Sequence, residues 1–250
     1  MPGGASQRTT AGREGHGWWP YLVPYIGFLL AVELARRVPE AAVPLMHFVK
    51  PAVPVALLVY FWRRGAYAEL RRIRLTAGGA LLDIGVGIAL ALLWMAPYIL
   101  LPDLRPDASE AFDATLMGER WVALVLGVRL FGYAIVTPIF EELFIRSFVM
   151  RFAEVYWQNG DFRDVPLAQY SLKSFLATIV VFTIGHVPWE WWVAIPWVAL
   201  TNLWFYYRRD LGALMLVHGT TNAALLAFAF FGGGLFTDPG GAPISLWFFV

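Results

Sequence analysis

Residues 77–101 read AGGALLDIGVGIALALLWMAPYILL, and this stretch decides the fold class. Asp83 is its one charged residue. About 20 consecutive apolar residues suffice for one helical crossing of a bilayer. Apolar and polar residues do not alternate along the stretch, as they would in a strand of a membrane barrel. Residues 77–101 therefore predict a transmembrane helix.

The composition extends this prediction to the whole chain. Of the 250 residues, 59% are hydrophobic and 15% are charged, whereas a soluble domain is about 45–50% apolar and about 25% charged. The net charge of +1 is too small for a nucleic-acid partner. The absence of cysteine excludes disulfides, thiolate nucleophiles and cysteine-ligated zinc. We therefore predict an integral membrane protein that does not bind nucleic acid.

Apolar runs separated by charged, proline or glycine clusters predict eight helical segments. These are Trp18–Ala35, Leu45–Trp62, Ala77–Leu101, Trp121–Thr137, Ile139–Trp157, Ser174–Val187, Trp191–Tyr207 and Leu211–Phe231. Pro138 is predicted to kink or break the helix between the fourth and fifth segments. Because only helices and closed barrels satisfy backbone polar groups in lipid, the fold class is predicted to be all-α. The architecture is a polytopic transmembrane bundle of about seven to eight helices.

Three parts are predicted along the chain. Residues 1–17 are polar and glycine-rich and predict a disordered N-terminal tail. Residues 18–231 predict a membrane-embedded helical domain, with a candidate catalytic core at 121–231. Residues 232–250 predict a partly apolar C-terminal tail.

The placement of arginine indicates the orientation in the membrane, since cytoplasmic connections are rich in Lys and Arg. Arg63–Arg74 carries five arginines and is predicted to be cytoplasmic, whereas Pro102–Glu119 is acidic and is predicted to lie on the opposite side. The arginine pair at 208–209 agrees with this orientation. The arginine pair at 36–37 does not, because the alternation of the helices places it on the side opposite to the cytoplasm.

Three polar clusters on three predicted helices need a reason, because an ionisable side chain at membrane depth costs roughly 2.5–3.5 kcal/mol. The clusters are Glu141, Glu142 and Arg146; Phe182 and His186; and His218 and Asn222. Each alone has a structural interpretation, as an intrahelical ion pair, a satisfied core histidine or polar helix-packing groups. If the clusters converged on one cavity, the polar groups of each could form hydrogen bonds or ion pairs with those of the others. We therefore predict that they share one water-accessible cavity.

The chemistry of these groups favours hydrolysis of an amide by activated water. A carboxylate and a histidine beside a water form a general-base pair. A second histidine with an asparagine can stabilise a developing oxyanion. The sequence has no Gly-x-Ser-x-Gly and no His-Glu-x-x-His motif. Asp83 has no acidic partner in a comparable motif, so we interpret it as a helix-packing or interfacial residue.

The three clusters resemble the motifs of the CPBP family, which comprises CAAX proteases and bacteriocin-processing enzymes. The family pattern is Glu-Glu-x-x-x-Arg, then Phe-x-x-x-His, then His-x-x-x-Asn on successive helices, and no motif position departs from it here. The resemblance implies an α-helical intramembrane endopeptidase of the glutamic type that requires no metal and no other cofactor. Residues 161–167 are also similar to a narrower bacterial group found with exosortase and PEP-CTERM sorting systems.

The resemblance also implies a role for each motif residue. It implies that Glu141 activates water together with His186. It implies that His218 and Asn222 form the oxyanion site. Its supporting residues are Glu142, Arg146 and Phe182. The implied partner is a membrane-associated protein or peptide substrate within the lipid bilayer, and the implied location is the bacterial inner membrane.

Two alternatives stay open at this point. Two histidines and one glutamate could hold zinc with an open coordination position, which predicts a zinc-dependent protease on the same residues. The same fold could instead serve as a membrane scaffold or immunity protein without catalysis. A transporter is less favoured, because the sequence has no internal repeat with paired broken helices.

Overall fold

A computed structural model describes residues 17–238 and 240–250. In these ranges it contains seven helices and no β-strand. The helices are α1 (Trp19–Ala35), α2 (Val43–Arg63), α3 (Ala77–Leu100), α4 (Glu119–Gln158), α5 (Leu172–Ile184), α6 (Trp191–Arg208) and α7 (Leu211–Phe231). The all-α prediction is confirmed. The tail predicted at 1–17 lies outside the described residues, apart from Gly17.

Four of the helices in the described ranges are long and apolar enough to cross a membrane: α2, α3, α4 and α7. Two more, α1 and α5, are shorter apolar helices. Their outward faces carry many large apolar side chains, among them Leu81, Ile184 and Phe231, each more than two-thirds exposed. A lipid environment is the one in which such faces are stable. The chain is an integral membrane protein.

Of the kink or break predicted at Pro138, the break is wrong, because α4 continues through the proline as one helix of 40 residues. Two π-helical turns, Phe131–Val136 and Leu143–Val149, lie on either side of the proline. A π turn shifts the backbone bonds from i−4 to i−5 and so changes which carbonyl the proline leaves without a donor. The fourth and fifth predicted helices are therefore a single element, which explains seven helices in place of eight.

Close approach of α3 to α7 depends on small residues. A Cβ added to Gly87 of α3 would lie 2.6 Å from the Val217 carbonyl oxygen of α7. At this crossing the Thr221 hydroxyl donates to the Gly87 carbonyl over 3.0 Å. In lipid, small side chains and interhelical hydrogen bonds take over the role that the hydrophobic effect plays in water.

Asp83 joins α3 to α6. Its side chain is fully buried and accepts hydrogen bonds from Arg208 Nε at 3.0 Å and Nη2 at 2.9 Å. Trp204 Nε1 donates to the same carboxylate at 3.0 Å. The negative charge of Asp83 is thus paired with the guanidinium of Arg208.

The two ends of the bundle differ in charge. The connections after α2, α4 and α6 lie together at one end, where Arg74 N–H donates to the Asp210 carboxylate over 2.7 Å. This end contains Arg63–Arg74 and the pair at 208–209. The other end gathers the acidic connection after α3, the turn after α5 and residues 240–250. There Tyr98 donates to the Trp189 carbonyl at 2.7 Å, and Phe112 N–H to the Trp247 carbonyl at 3.0 Å.

Residues 240–250 pack onto the bundle. Ile244, Leu246 and Phe249 are buried there. The Tyr133 hydroxyl of α4 donates to the Phe249 carbonyl over 2.8 Å. This segment therefore covers the end of the bundle that carries the acidic connection after α3.

Cysteine labelling can determine which end faces the cytoplasm, since the chain has no natural cysteine. Ala68 and Ala108 are exposed residues, each opening a short helical turn, at the arginine-rich and acidic ends respectively. In intact cells we expect a membrane-impermeant maleimide to label Ala108→Cys and not Ala68→Cys. Both should be labelled after permeabilisation. The reverse pattern would show that the arginine-rich end lies outside.

Candidate active site

One cavity of about 310 Å³ collects residues from all three motif clusters. Its wall contains Glu141 from α4, Phe182 and His186 from the end of α5, and His218 and Asn222 from α7. Glu142 and Arg146 do not line it and lie behind its wall, fully buried. Glu141 and Glu142 separate in this way because consecutive helical residues point about 100° apart.

His218 lies between the two glutamates. Its Nδ1 donates to Glu142 Oε1 over 2.8 Å, and its Nε2 lies 3.8 Å from Glu141 Oε2. A carboxylate bonded to one imidazole nitrogen fixes the ring and decides which nitrogen stays available. Nε2 is therefore the nitrogen that His218 presents beside Glu141 in the cavity.

Glu142 is held in turn by Arg146. The Arg146 Nε atom lies 3.3 Å from Glu142 Oε2, and both side chains are fully buried. Arg146 Nη2 also donates to the Thr201 hydroxyl of α6 over 2.6 Å. Arg146 Nη1 donates to Glu142 Oε1 over 3.4 Å, whereas Glu142 Oε2 and Arg146 Nε have no hydrogen-bond partner among the described residues. The pair and its partners thus tie α4, α6 and α7 together behind the cavity.

His186 is fixed by its own helix and by aromatic rings. Its Nδ1 donates to the Phe182 carbonyl over 2.9 Å, which leaves Nε2 as the acceptor nitrogen. The imidazole centroid is 4.4 Å from the Phe182 ring and 5.7 Å from that of Trp94. Trp197 stacks on Phe182 at 5.1 Å and lies 4.8 Å from His218. The rings of both histidines therefore pack against the stacked pair of Phe182 and Trp197.

Asn222 supplies a hydrogen bond that Pro138 cannot. The first π turn of α4 bonds the Thr137 N–H to the Gly132 carbonyl. The Tyr133 carbonyl would then take its bond from residue 138, and proline has no N–H. Asn222 Nδ2 donates to that carbonyl over 2.8 Å. One amide hydrogen of Asn222 is thereby committed, and the other has no acceptor among residues 17–238 and 240–250.

Several residues at the site have no signal in the sequence motifs. Trp94, Trp197 and Thr201 lie inside apolar helices, where an aromatic ring or a threonine is usual. Glu190, in the turn before α6, lines the same cavity, although its neighbours Trp189 and Trp191 suggest an interfacial segment. Burial raises the pKa of Glu190 to about 7, because the charged carboxylate loses hydration there.

A metal site does not emerge from this arrangement. Among residues 17–238 and 240–250, no three His, Cys, Asp or Glu side chains are grouped so that they could hold a metal ion. Nδ1 of His218 is bonded to Glu142 and Nδ1 of His186 to a backbone carbonyl, so Nε2 is the nitrogen that each ring has available. The zinc-dependent alternative is therefore decided by experiment.

Gly219 allows α7 to approach α4 beside the site. A Cβ at Gly219 would lie 2.5 Å from the Ala134 carbonyl oxygen. We expect Gly219→Ala to destabilise the protein by about 1–3 kcal/mol through overpacking against rigid backbone. Thermal unfolding in detergent measures this change.

Gly127→Ala is the matched control for this substitution. It adds the same methyl group to α4, and nothing lies within 4 Å of the new Cβ. It is expected to be neutral or stabilising, because alanine has the higher helix propensity. Equal unfolding temperatures for the two variants would contradict the close approach at Gly219.

Comparison with known families agrees with this geometry. Residues 120–224 match the family of the type II CAAX prenyl endopeptidase Rce1-like proteins. The match begins at the start of α4 and ends two residues after Asn222, so it contains all three motif clusters. No curated protein and no solved structure matches the chain. Residues 120–224, which carry all three motif clusters, are therefore similar to the Rce1-like type II CAAX endopeptidases, a family of membrane proteases.

Proposed function

We propose that this protein is an intramembrane endopeptidase that hydrolyses a peptide bond of a membrane-associated protein with water activated by Glu141. The observation that carries the proposal is the position of Glu141 on the cavity wall, 3.8 Å from His218 Nε2, while Glu142 holds the other nitrogen of that ring. A positioned carboxylate of this kind removes a proton from water as it attacks a carbonyl carbon.

The remaining wall residues have complementary roles in this proposal. His186 offers Nε2 as a second proton acceptor for the water. The free amide hydrogen of Asn222 stabilises the oxyanion, and His218 Nε2 does so when it carries a proton. Glu141 then returns the proton to the leaving amine, which completes hydrolysis. None of these steps uses a metal or another cofactor.

Membranes containing the natural set of proteins provide the test, since the substrate is unidentified. Vesicles from cells that produce the wild-type protein or Glu141→Gln would be incubated in H₂¹⁸O, and new protein termini identified by mass spectrometry. We expect new C-termini labelled with ¹⁸O in wild-type vesicles and none with Glu141→Gln. Identical termini in both would refute the proposal.

A chelator arm separates the proposed chemistry from the zinc alternative. Adding EDTA or 1,10-phenanthroline to the wild-type vesicles should leave the labelled termini unchanged. Loss of the termini with the chelator, and their return with added zinc, would favour the zinc-dependent protease. Full function in the cell with Glu141→Gln would favour the scaffold.

A further inference from the structure

A short segment of the chain itself lies in the candidate active-site cavity. Residues 246–250 read Leu-Trp-Phe-Phe-Val and contain one 3₁₀ turn. Phe248, Phe249 and Val250 line the cavity that Glu141 also lines. We call residues 246–250 the aromatic cap. The proposed hydrolysis assigns no role to this segment.

Aromatic rings of the bundle hold the cap. The centroid of the Tyr98 ring lies 5.4 Å from that of Phe249 and 6.0 Å from that of Phe248, and the Trp189 ring lies 6.1 Å from the Phe248 ring. All three pairs pack edge to face, which is a favourable arrangement for aromatic rings. Phe249 is buried by these contacts, with 3% of its surface exposed. The cap thus fills a site that suits aromatic side chains.

Tyr133 connects the cap to the groups of the proposed hydrolysis. Its hydroxyl donates to the Phe249 carbonyl over 2.8 Å, and its own carbonyl accepts a hydrogen bond from Asn222 Nδ2 over 2.8 Å. One residue therefore separates the cap from Asn222. Because every residue has a main-chain carbonyl, the Tyr133 hydroxyl can donate in the same way to any peptide that takes the place of the cap. We call Tyr98, Tyr133 and Trp189 the aromatic subsite.

Few polar contacts attach the cap to the rest of the bundle. Apart from the Tyr133 hydroxyl, the donor is the Phe112 N–H, which bonds the Trp247 carbonyl over 3.0 Å. Among residues 17–231, no other hydrogen bond reaches the cap. Five of the ten residues at 232–241, which connect α7 to the cap, are glycine, and Gly234 and Gly241 have positive φ. Since glycine changes its backbone conformation at low steric cost, the connection allows the cap to leave the cavity.

The cavity is small for a protein substrate while the cap is in place. Its volume of about 310 Å³ is at the lower end of the range for small-molecule pockets, roughly 300–1,000 Å³. A peptide with residues on both sides of the cleaved bond is larger than most small-molecule ligands. Departure of Phe248 and Phe249 would enlarge the cavity at the acidic end and free the Tyr133 hydroxyl.

We infer that the aromatic cap occupies part of the substrate site and competes there with the substrate. This inference rests on the proposed function. It predicts a substrate class, membrane-associated proteins whose aromatic side chains replace Phe248 and Phe249 on the aromatic subsite while a main-chain carbonyl accepts a hydrogen bond from Tyr133. The cap also restrains the protein, because the apparent affinity for substrate falls in proportion to the fraction of molecules in which the cap is open.

Binding of a peptide with the sequence of the cap tests this competition. The probe is fluorescein-labelled Leu-Trp-Phe-Phe-Val amide, and its fluorescence anisotropy is measured with detergent-purified Glu141→Gln protein. We expect the addition of Phe249→Ala to make the probe bind about tenfold more tightly, because a weakened cap leaves the subsite open in more molecules. The same peptide built from D-amino acids enters micelles equally and measures non-specific binding.

Phe231→Ala is the matched control. It removes the same ring at the end of α7, where the side chain is 78% exposed and does not line the cavity. Its affinity for the probe should equal that of the parent Glu141→Gln protein.

A cysteine pair tests the opposite change, closure of the cap. Phe112→Cys/Trp247→Cys places two thiols on residues that a backbone hydrogen bond of 3.0 Å already joins, in a chain without other cysteines. Residues in such contact are near enough for a disulfide. After oxidation, confirmed by mass spectrometry, we expect probe binding to be lost. Dithiothreitol should restore it in the same sample.

Unchanged, weaker or absent probe binding by folded Phe249→Ala protein would overturn the inference, as would equal binding by the oxidised and reduced cysteine pair. If Phe249→Ala failed to fold, the cysteine pair would decide. In the vesicle experiment, Phe249→Ala with Glu141 intact should raise the yield of labelled termini, whereas loss of a purely structural segment would lower it.

The binding measurement does not depend on catalysis, because it uses Glu141→Gln protein. Competition by the cap without labelled termini from wild-type vesicles would retain the aromatic subsite and reject the protease proposal. Labelled termini without competition by the cap would do the opposite.

Discussion

Glu141→Gln is expected to lower the rate of peptide hydrolysis by about 10²–10⁴-fold, the usual contribution of a positioned general base. Glutamine keeps the shape of the side chain but cannot accept the proton of the attacking water. Among the described residues this carboxylate lies 3.8 Å from His218 Nε2 and accepts no hydrogen bond, so its substitution breaks no short contact. We therefore expect kcat to fall while the unfolding temperature stays within about a degree of the wild-type value. Single-turnover cleavage of a substrate found in the vesicle experiment measures kcat.

Two further variants show whether the effect belongs to Glu141. Glu119→Gln makes the same chemical change at the exposed start of α4 and should leave kcat unchanged. Glu142→Gln should lower both kcat and stability, because it removes the carboxylate that fixes His218 and pairs with Arg146. If Glu141→Gln retained wild-type kcat, the water-activating group would have to be sought elsewhere, with Glu190 the next candidate on the cavity wall.

The helices could be predicted from the sequence because lipid demands long apolar segments with internally satisfied backbones. Residues 77–101 predicted α3, which spans Ala77–Leu100, to within one residue. The error at Pro138 has a physical origin outside local sequence. The rule that proline ends a helix assumes that the freed carbonyl has no other donor, whereas here Asn222 provides one from α7. A local rule failed because a tertiary contact replaced the missing bond.

The residues of the candidate site could likewise be selected from the sequence, but the contacts between them could not. Polar residues in apolar helices are conspicuous, so Glu141, His186 and His218 could be selected without a structure. Which glutamate approaches which nitrogen of His218 depends on how α4 is rotated against α7, and the two π turns set that rotation.

Arg146 shows how the site depends on a residue that the cavity never contacts. Its guanidinium lies 5.7 Å from the Phe182 ring centroid and 5.9 Å from that of Trp197, and it pairs with Glu142 at full burial. These are the groups that position His186 and His218. Substitution of Arg146 is therefore expected to affect stability and catalysis together, through one set of contacts.

Arg146→Met should destabilise the protein by about 3–5 kcal/mol, because Glu142 is left as a buried charge without its partner. Methionine fills part of the same volume, so the cost arises from charge rather than from a cavity. Unfolding of the purified protein by SDS or heat in mixed micelles measures the change. Arg37→Met is the control: it breaks the i, i+4 pair with Glu33, whose side chains are 74% and 49% exposed, and should cost no more than about 1 kcal/mol.

The double variant Glu142→Gln/Arg146→Met separates the structural role of Arg146 from its effect on the site. With both charges gone, no unpaired buried charge remains, so the double variant should recover much of the lost stability. It should not recover hydrolysis, since His218 Nδ1 no longer has a carboxylate to fix the ring beside Glu141. If stability and kcat returned together, Glu142 and Arg146 would act as a structural pair alone. If stability did not return, the contacts of Arg146 with Thr201 and the two rings would account for its contribution.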